Sequence, residues 1–84
     1  MIKKEIILPF HLLARRAVEL SIKTKDNINS PFFIQKDNRR ANAKSLLGIL
    51  SLSAREGEKI LLISEKEEDI NKMEEIIKLI KEEF

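Results

Sequence analysis

Hydrophobic positions fall in short blocks whose period changes along the chain. Ile2 to Leu8 is rich in β-branched and apolar residues and reads as a strand. Pro9 ends it by removing a donor and fixing φ. From Ala14 to Lys25, Ala14, Ala17, Val18 and Ile22 recur at the spacing of one helix face, which Leu13 and Leu20 extend. Asp26-Asn27 and Asn29-Ser30-Pro31 carry turn chemistry. Phe32 to Lys36 is a short strand. Asp37-Asn38 suits a hairpin tip, because both residues tolerate left-handed backbone, and Arg39 to Asn42 returns as a polar edge strand. Ser45 can cap a helix running to Ala54. Gly57 breaks the chain before Lys59 to Ser64, a strand with a nearly continuous apolar run. Asp69 to Glu83 has the strongest helical pattern: Ile70, Met73, Ile77, Ile80 and Phe84 form one stripe, widened by Ile76.

The order β-α-β-β-α-β-α predicts an α+β fold. Its economical packing is a four-stranded antiparallel sheet covered on one face by three helices. Residues 1–84 make a single domain, with no linker, repeat or low-complexity segment. The expected core is Ile6, Leu8, Val18, Ile22, Ile34, Ile49, Leu61, Ile63, Met73, Ile77 and Ile80. Face parity is least determined in the strand Lys59 to Ser64, where nearly every position is apolar.

Composition narrows the chemistry. The net charge of +2 is too small to argue for direct binding to nucleic acid, and the absence of Trp and Tyr leaves little for bases to stack on. No cysteine and one histidine exclude thiolate chemistry, a disulfide framework and a recognisable zinc site, and no cofactor is implied. The absence of cysteine suits a cytoplasmic protein. Glu5 and His11 interrupt the N-terminal apolar run and Arg15-Arg16 follows it, which is not the pattern of a signal peptide. No stretch reaches transmembrane length, so no membrane partner is expected.

Two segments carry candidate chemistry. In Asn42-Ala43-Lys44-Ser45-Leu46-Leu47-Gly48, Ser45 precedes a helix that is apolar almost all round. The plain reading is an N-cap, worth about 1 kcal/mol. The functional reading starts from Leu46, Leu47 and Leu50, which would share an outer face if Ile49 and Leu52 face the sheet. An exposed apolar patch on a small domain marks a binding surface. In Leu13-Ala14-Arg15-Arg16-Ala17, two cations stand in a first helical turn, against the helix dipole. Arg15 and Arg16 are either two solvated arginines or a forked site for a carboxylate or phosphate.

Together the two segments resemble the phosphorylation segments of the HPr family, the small phosphocarriers of the bacterial sugar phosphotransferase system. Asn-x-Lys-Ser-x-x-Gly, with Ser51-Leu52 beyond it, is similar to the family's regulatory serine segment, and the element order matches over the whole chain. The resemblance implies that Ser45 is the phosphorylated serine and that Leu13 stands where the family carries its phosphoryl-accepting histidine. Leu13 has no lone pair for a phosphoryl group. The histidine-lacking variant of the family is the catabolite-repression HPr, Crh. Likeness to it implies a regulator in carbon catabolite control rather than a carrier or an enzyme. Its implied partners are an HPr serine kinase/phosphorylase and a LacI-type transcriptional regulator, contacted through Arg15, Arg16, Leu46, Leu47 and Leu50, with the protein a monomer or weak dimer. Arg16 replaces the family's proline, and His11 its glycine. The alternatives are a phosphocarrier that uses the displaced His11, or a diverged interaction domain of the same fold without phosphorylation.

Overall fold

The computed structural model describes residues 1–82. Phe84, expected on the last helical stripe, and Glu83 lie outside them. The chain forms β1 (Ile2–Ile7), α1 (Ala14–Asn27), β2 (Phe32–Lys36), β3 (Arg39–Asn42), α2 (Leu46–Ser51), β4 (Lys59–Ser64) and α3 (Ile70–Glu82), with a 3-10 turn at Glu67–Asp69 ahead of α3. The four strands make one sheet in the order β1-β4-β2-β3. Every neighbouring pair is antiparallel, so the expected fold class is the one observed.

Register decides the face that the sequence left open. Ile6 lies opposite Ile60, and Leu62 lies opposite Ile34, which in turn faces Ala41. These residues are all buried in one cluster with Ala17 and Leu20 of α1, Ile49 of α2 and Met73, Ile76, Ile77 and Ile80 of α3. The alternating positions Glu5, Leu61, Gln35 and Arg40 belong to the opposite face. Leu61, expected in the core, is therefore half-buried on the outer face. Ile63 is buried but stands outside the main cluster, between Lys3 and Phe33 in the register. Arg40 reaches over that face, its guanidinium 5.6 Å from the Phe33 ring centroid.

The buried face of α1 is rotated from the expected one. Ala17, Leu20, Ser21 and Thr24 are buried, whereas Val18 is half-buried and Ile22 is 48% exposed. Small polar residues can occupy this face because each hydroxyl donates back to the helix. Ser21 Oγ reaches the Val18 carbonyl and Thr24 Oγ1 the Leu20 carbonyl, both at 2.8 Å.

The segment between β1 and α1 holds Leu8, expected in the core, and adds Phe10 and Leu12 to it. Leu8, Phe10 and Leu12 are buried at alternate positions, with Pro9, His11 and Leu13 outward. Backbone hydrogen bonds fasten it to the loop after α2: Leu8 N donates to Glu58 O at 2.9 Å, Leu12 N to Ala54 O at 2.9 Å and Gly57 N to Leu8 O at 2.8 Å.

The helix expected to reach Ala54 ends at Ser51. Ser53 adopts φ 50, and its amide donates to Leu50 O at 3.1 Å. This left-handed residue turns the chain so that Leu52 and Ala54 both enter the core. Lys36 Nζ secures the turn, donating to Ser53 O at 3.1 Å and Leu52 O at 3.4 Å while pairing with Glu58 Oε1 at 3.1 Å. The Glu58 carboxyl lies below its ordinary range because it accepts the Arg55 backbone N–H and, secondly, a hydrogen bond from Lys36.

Candidate functional site

Ser45 sits at the start of α2 in extended backbone, φ −103 and ψ 116, where its Oγ accepts the Gly48 N–H at 3.1 Å. The approach is shaped locally. Asn42 Oδ1 accepts the Lys44 N–H at 2.8 Å, and Asn42 O accepts the Ser45 N–H at 3.0 Å. This turn delivers the hydroxyl to the helix end from the last residue of β3. With the hydroxyl oxygen engaged as acceptor, its proton remains available to a base.

The leucines around Ser45 are unequal. Leu47 is 79% exposed, but Leu46 and Leu50 are half-buried and pack against the core. The expected three-residue outer patch is thus corrected to one projecting leucine with two others half-covered beside it. α2 packs against both α1 and β3, and Leu46 and Leu50 are partly covered against the core there.

Gly48 occupies the third position of α2 without a left-handed backbone, since Gly57 (φ 87) is the glycine with positive φ. A helical glycine costs about 1 kcal/mol relative to alanine. The reason for it here is space. A Cβ at Gly48 would stand 3.3 Å from Ser45 Oγ and 3.4 Å from both Ala41 Cβ and Ser45 Cβ. The motif alone does not reveal this approach, which depends on Ala41 of β3 lying against α2.

At the start of α1, Leu13 occupies the N-cap with φ −133 and ψ 165 and makes no side-chain capping bond. It is 37% exposed. Ala14 follows at φ 48, a left-handed conformation disfavoured for a residue bearing a Cβ. The first turn of α1 contains no acidic residue. Arg15 and Arg16 are engaged by different groups of the chain. Arg15 Nε pairs with Glu19 Oε1 at 3.7 Å along a solvent-facing edge, while the Arg16 guanidinium lies 4.4 Å over the centroid of Phe10. The cation-π contact explains Arg16 in a place that the helix dipole disfavours.

His11 is exposed, and its ring is engaged by the loop after α2. Its Nδ1 accepts the Glu56 N–H at 3.1 Å, and its carbonyl accepts the Leu13 N–H at 2.9 Å. Among the described residues no cluster of His, Cys, Asp and Glu could hold a metal ion, and no helix is long and apolar enough to cross a membrane.

The sequence and the fold are both similar to those of known proteins. The family model described as PTS HPr component phosphorylation site matches residues 3–82. The HPr-like protein Crh of Halalkalibacterium halodurans is 35% identical over 71 residues, covering 84% of each chain. HPr-C-His from Thermoanaerobacter tengcongensis superposes with a TM-score of 0.87 at 28% identity, covering 96% of this chain and 92% of its own. Bacillus subtilis Crh superposes with a TM-score of 0.74 at 30% identity, covering 99% of this chain and 94% of its own; its structure revealed a swapping domain in an intertwined dimer. HPr and Crh are phosphocarrier or regulatory proteins rather than catalytic enzymes, and their solved structures include dimers. The chain belongs to the HPr family of the phosphotransferase system, as a Crh-like member with a regulatory or phosphocarrier-like role.

Proposed function

We propose that this protein is a phosphorylation-switched regulator and not a phosphocarrier: a serine kinase modifies Ser45, and the modified form acts by binding another protein in carbon catabolite control. The observation that carries the reading is Leu13 at the N-cap of α1. The residue in the family's carrier position has no atom that could accept a phosphoryl group. Ser45 meanwhile keeps its hydroxyl at the surface end of α2, beside Lys44.

Phosphorylation there would add about two negative charges at pH 7. The first turn of α2 contains no acidic side chain to oppose them. The added charge would stand near Leu47, whose exposed side chain offers an apolar anchor. A partner that pairs basic groups with the phosphate and an apolar hollow with Leu47 obtains affinity from one contact and a charge test from the other. A LacI-type regulator is the partner that the likeness to Crh suggests, with an HPr serine kinase/phosphorylase setting the switch in the cytoplasm. The carrier alternative is weakened by His11, whose Nδ1 is already engaged by Glu56 N–H.

The test is a pair of labelling reactions. With ATP and a Gram-positive HPr serine kinase, the protein takes up one acid-stable phosphate, and Ser45→Ala takes up none. With phosphoenolpyruvate and the general phosphotransferase enzyme, it takes up no acid-labile phosphate. Stoichiometric acid-labile labelling that disappears in His11→Ala refutes the proposal in favour of the carrier.

A further inference from the structure

We propose that Gly48 is a positioning residue for modification of Ser45: the missing side chain keeps open the space through which the Ser45 hydroxyl meets the phosphoryl donor. The inference rests on the reading of Ser45 as the acceptor and adds the residue that makes it competent. Three observations carry it. Gly48 lies in α2 without positive φ, so no backbone conformation calls for glycine there. Its N–H donates to Ser45 Oγ at 3.1 Å, which holds the hydroxyl directly over this position. A Cβ would stand 3.3 Å from that same oxygen, tighter than ordinary van der Waals contact.

The reaction served is phosphoryl transfer from ATP. The Ser45 Oγ forms the new O–P bond, the bond between the γ-phosphorus and the β,γ-bridging oxygen breaks, ADP leaves, and the hydroxyl proton passes to the kinase's base. The attacking and leaving oxygens must lie roughly in line. Phosphorus therefore approaches Oγ from one direction, while three phosphoryl oxygens need room around it. A methyl group fixed by the helix beside Oγ occupies part of that room and cannot rotate away. The Gly48 amide is present in any non-proline variant, so the consequence of a side chain is steric.

A packing role is the competing explanation, because the same Cβ would meet Ala41 Cβ at 3.4 Å. Two variants separate them. Gly48→Ala introduces both contacts. Gly48→Ala with Ala41→Gly removes the contact to β3 and leaves the one to Ser45 Oγ. Each is incubated with ATP and a Gram-positive HPr serine kinase, and kcat and KM are measured beside thermal unfolding.

Gly48→Ala is expected to lower kcat for phosphorylation at least tenfold, with KM changed less than threefold and the thermal midpoint undiminished by more than a few degrees. The double variant is expected to remain as slow. Phosphorylation of Gly48→Ala at the unmodified rate overturns the inference and leaves the Ser45 reading intact. Recovery of rate in the double variant also overturns it, assigning Gly48 to packing. Should Gly48→Ala fail to fold, the double variant decides alone. An unsubstituted protein that takes up no phosphate overturns the Ser45 reading and this inference with it.

Discussion

Replacing Asp69 with asparagine should destabilise the protein at neutral pH and flatten its response to acid. Asp69 is 6% exposed, and its Oδ2 accepts hydrogen bonds from Ser30 Oγ and, at 2.7 Å, from Ser64 Oγ. Ser30 precedes β2, Ser64 ends β4 and Asp69 precedes α3, so one carboxylate oxygen ties three parts of the fold together. These hydrogen bonds, Ser30 first and Ser64 second, hold the carboxyl below the ordinary aspartate range. Hydrogen bonds to a charged acceptor contribute about 1.5–3 kcal/mol each, and neutral ones about 1 kcal/mol. Asparagine retains an oxygen able to accept both, so Asp69→Asn loses the charge assistance of two bonds, about 1–4 kcal/mol in all. In a domain of this size 1 kcal/mol moves the thermal midpoint by about 4–8 °C.

The sign of the pH effect follows from the depressed native pKa. Above the unfolded value the carboxylate is charged in both states and its contribution is fully present. As pH falls below that value, the unfolded chain takes up a proton that the folded protein resists, and the stability is lost as pH drops through the native pKa. Urea denaturation of the unsubstituted protein and Asp69→Asn at steps between pH 7 and pH 2 measures this. The two stabilities should differ at pH 7 and converge in acid. Parallel curves across that range, or carboxyl titration by NMR that finds Asp69 no more acidic than an ordinary aspartate, would refute the reasoning.

Other outcomes follow from burial and backbone geometry. Leu47→Ala should cost less than about 0.5 kcal/mol, since most of its side chain is already in water; Leu50→Ala, half-buried against the core, should cost more, and urea denaturation ranks them. On the proposed function Leu47→Ala nonetheless weakens binding of the Ser45-phosphorylated protein to its partner, read by titration calorimetry. Ser53→Gly should stabilise by about 0.5–1 kcal/mol, because glycine adopts the left-handed conformation without the Cβ clash, and a raised thermal midpoint checks it. His11→Ala should cost about 1 kcal/mol through the lost bond to Glu56 N–H and leave phosphorylation of Ser45 unchanged, measured by labelling.

Much of the architecture was legible because strong local signals and long-range packing agree. Pro9, Asp37-Asn38 and Gly57 punctuate the chain close to element ends, and the α3 stripe of Met73, Ile76, Ile77 and Ile80 is buried as its spacing predicts. Legibility failed where burial parts company with hydrophobicity. On α1 the apolar residues Val18 and Ile22 lie toward solvent, while Ser21 and Thr24 go inward by satisfying their hydroxyls within the helix. In β4 a continuous apolar run conceals parity, and only its pairing with β1 and β2 sends Ile60 and Leu62 inward and Leu61 outward. The end of α2 has no glycine to announce it, since Ser53 supplies the left-handed residue and Lys36, distant in sequence, secures the turn. At the candidate site the sequence marks Ser45 and Leu13. The separation of Arg15 from Arg16 depends on the Phe10 ring, and the crowding at Gly48 depends on Ala41, neither visible as a local motif.

The starts of α1 and α2 are held by different means. At α1 the entry is secured from outside the N-cap. Leu12 is buried and its amide binds Ala54 O, Phe10 is buried under Arg16, and Ala17 enters the core one turn on. Leu13 contributes no capping bond, so its side chain is free to be any that tolerates partial exposure. At α2 the reverse holds. The helix is six residues long, and its first turn is closed by the Ser45 hydroxyl on the Gly48 amide, fed by the Asn42 turn. The residue proposed to carry the switch is thus also the one that starts the helix, and alanine at Ser45 would forfeit a cap worth about 1 kcal/mol. A change of side chain at Leu13 therefore costs the fold little, whereas a change at Ser45 costs it the bond that closes the first turn of α2.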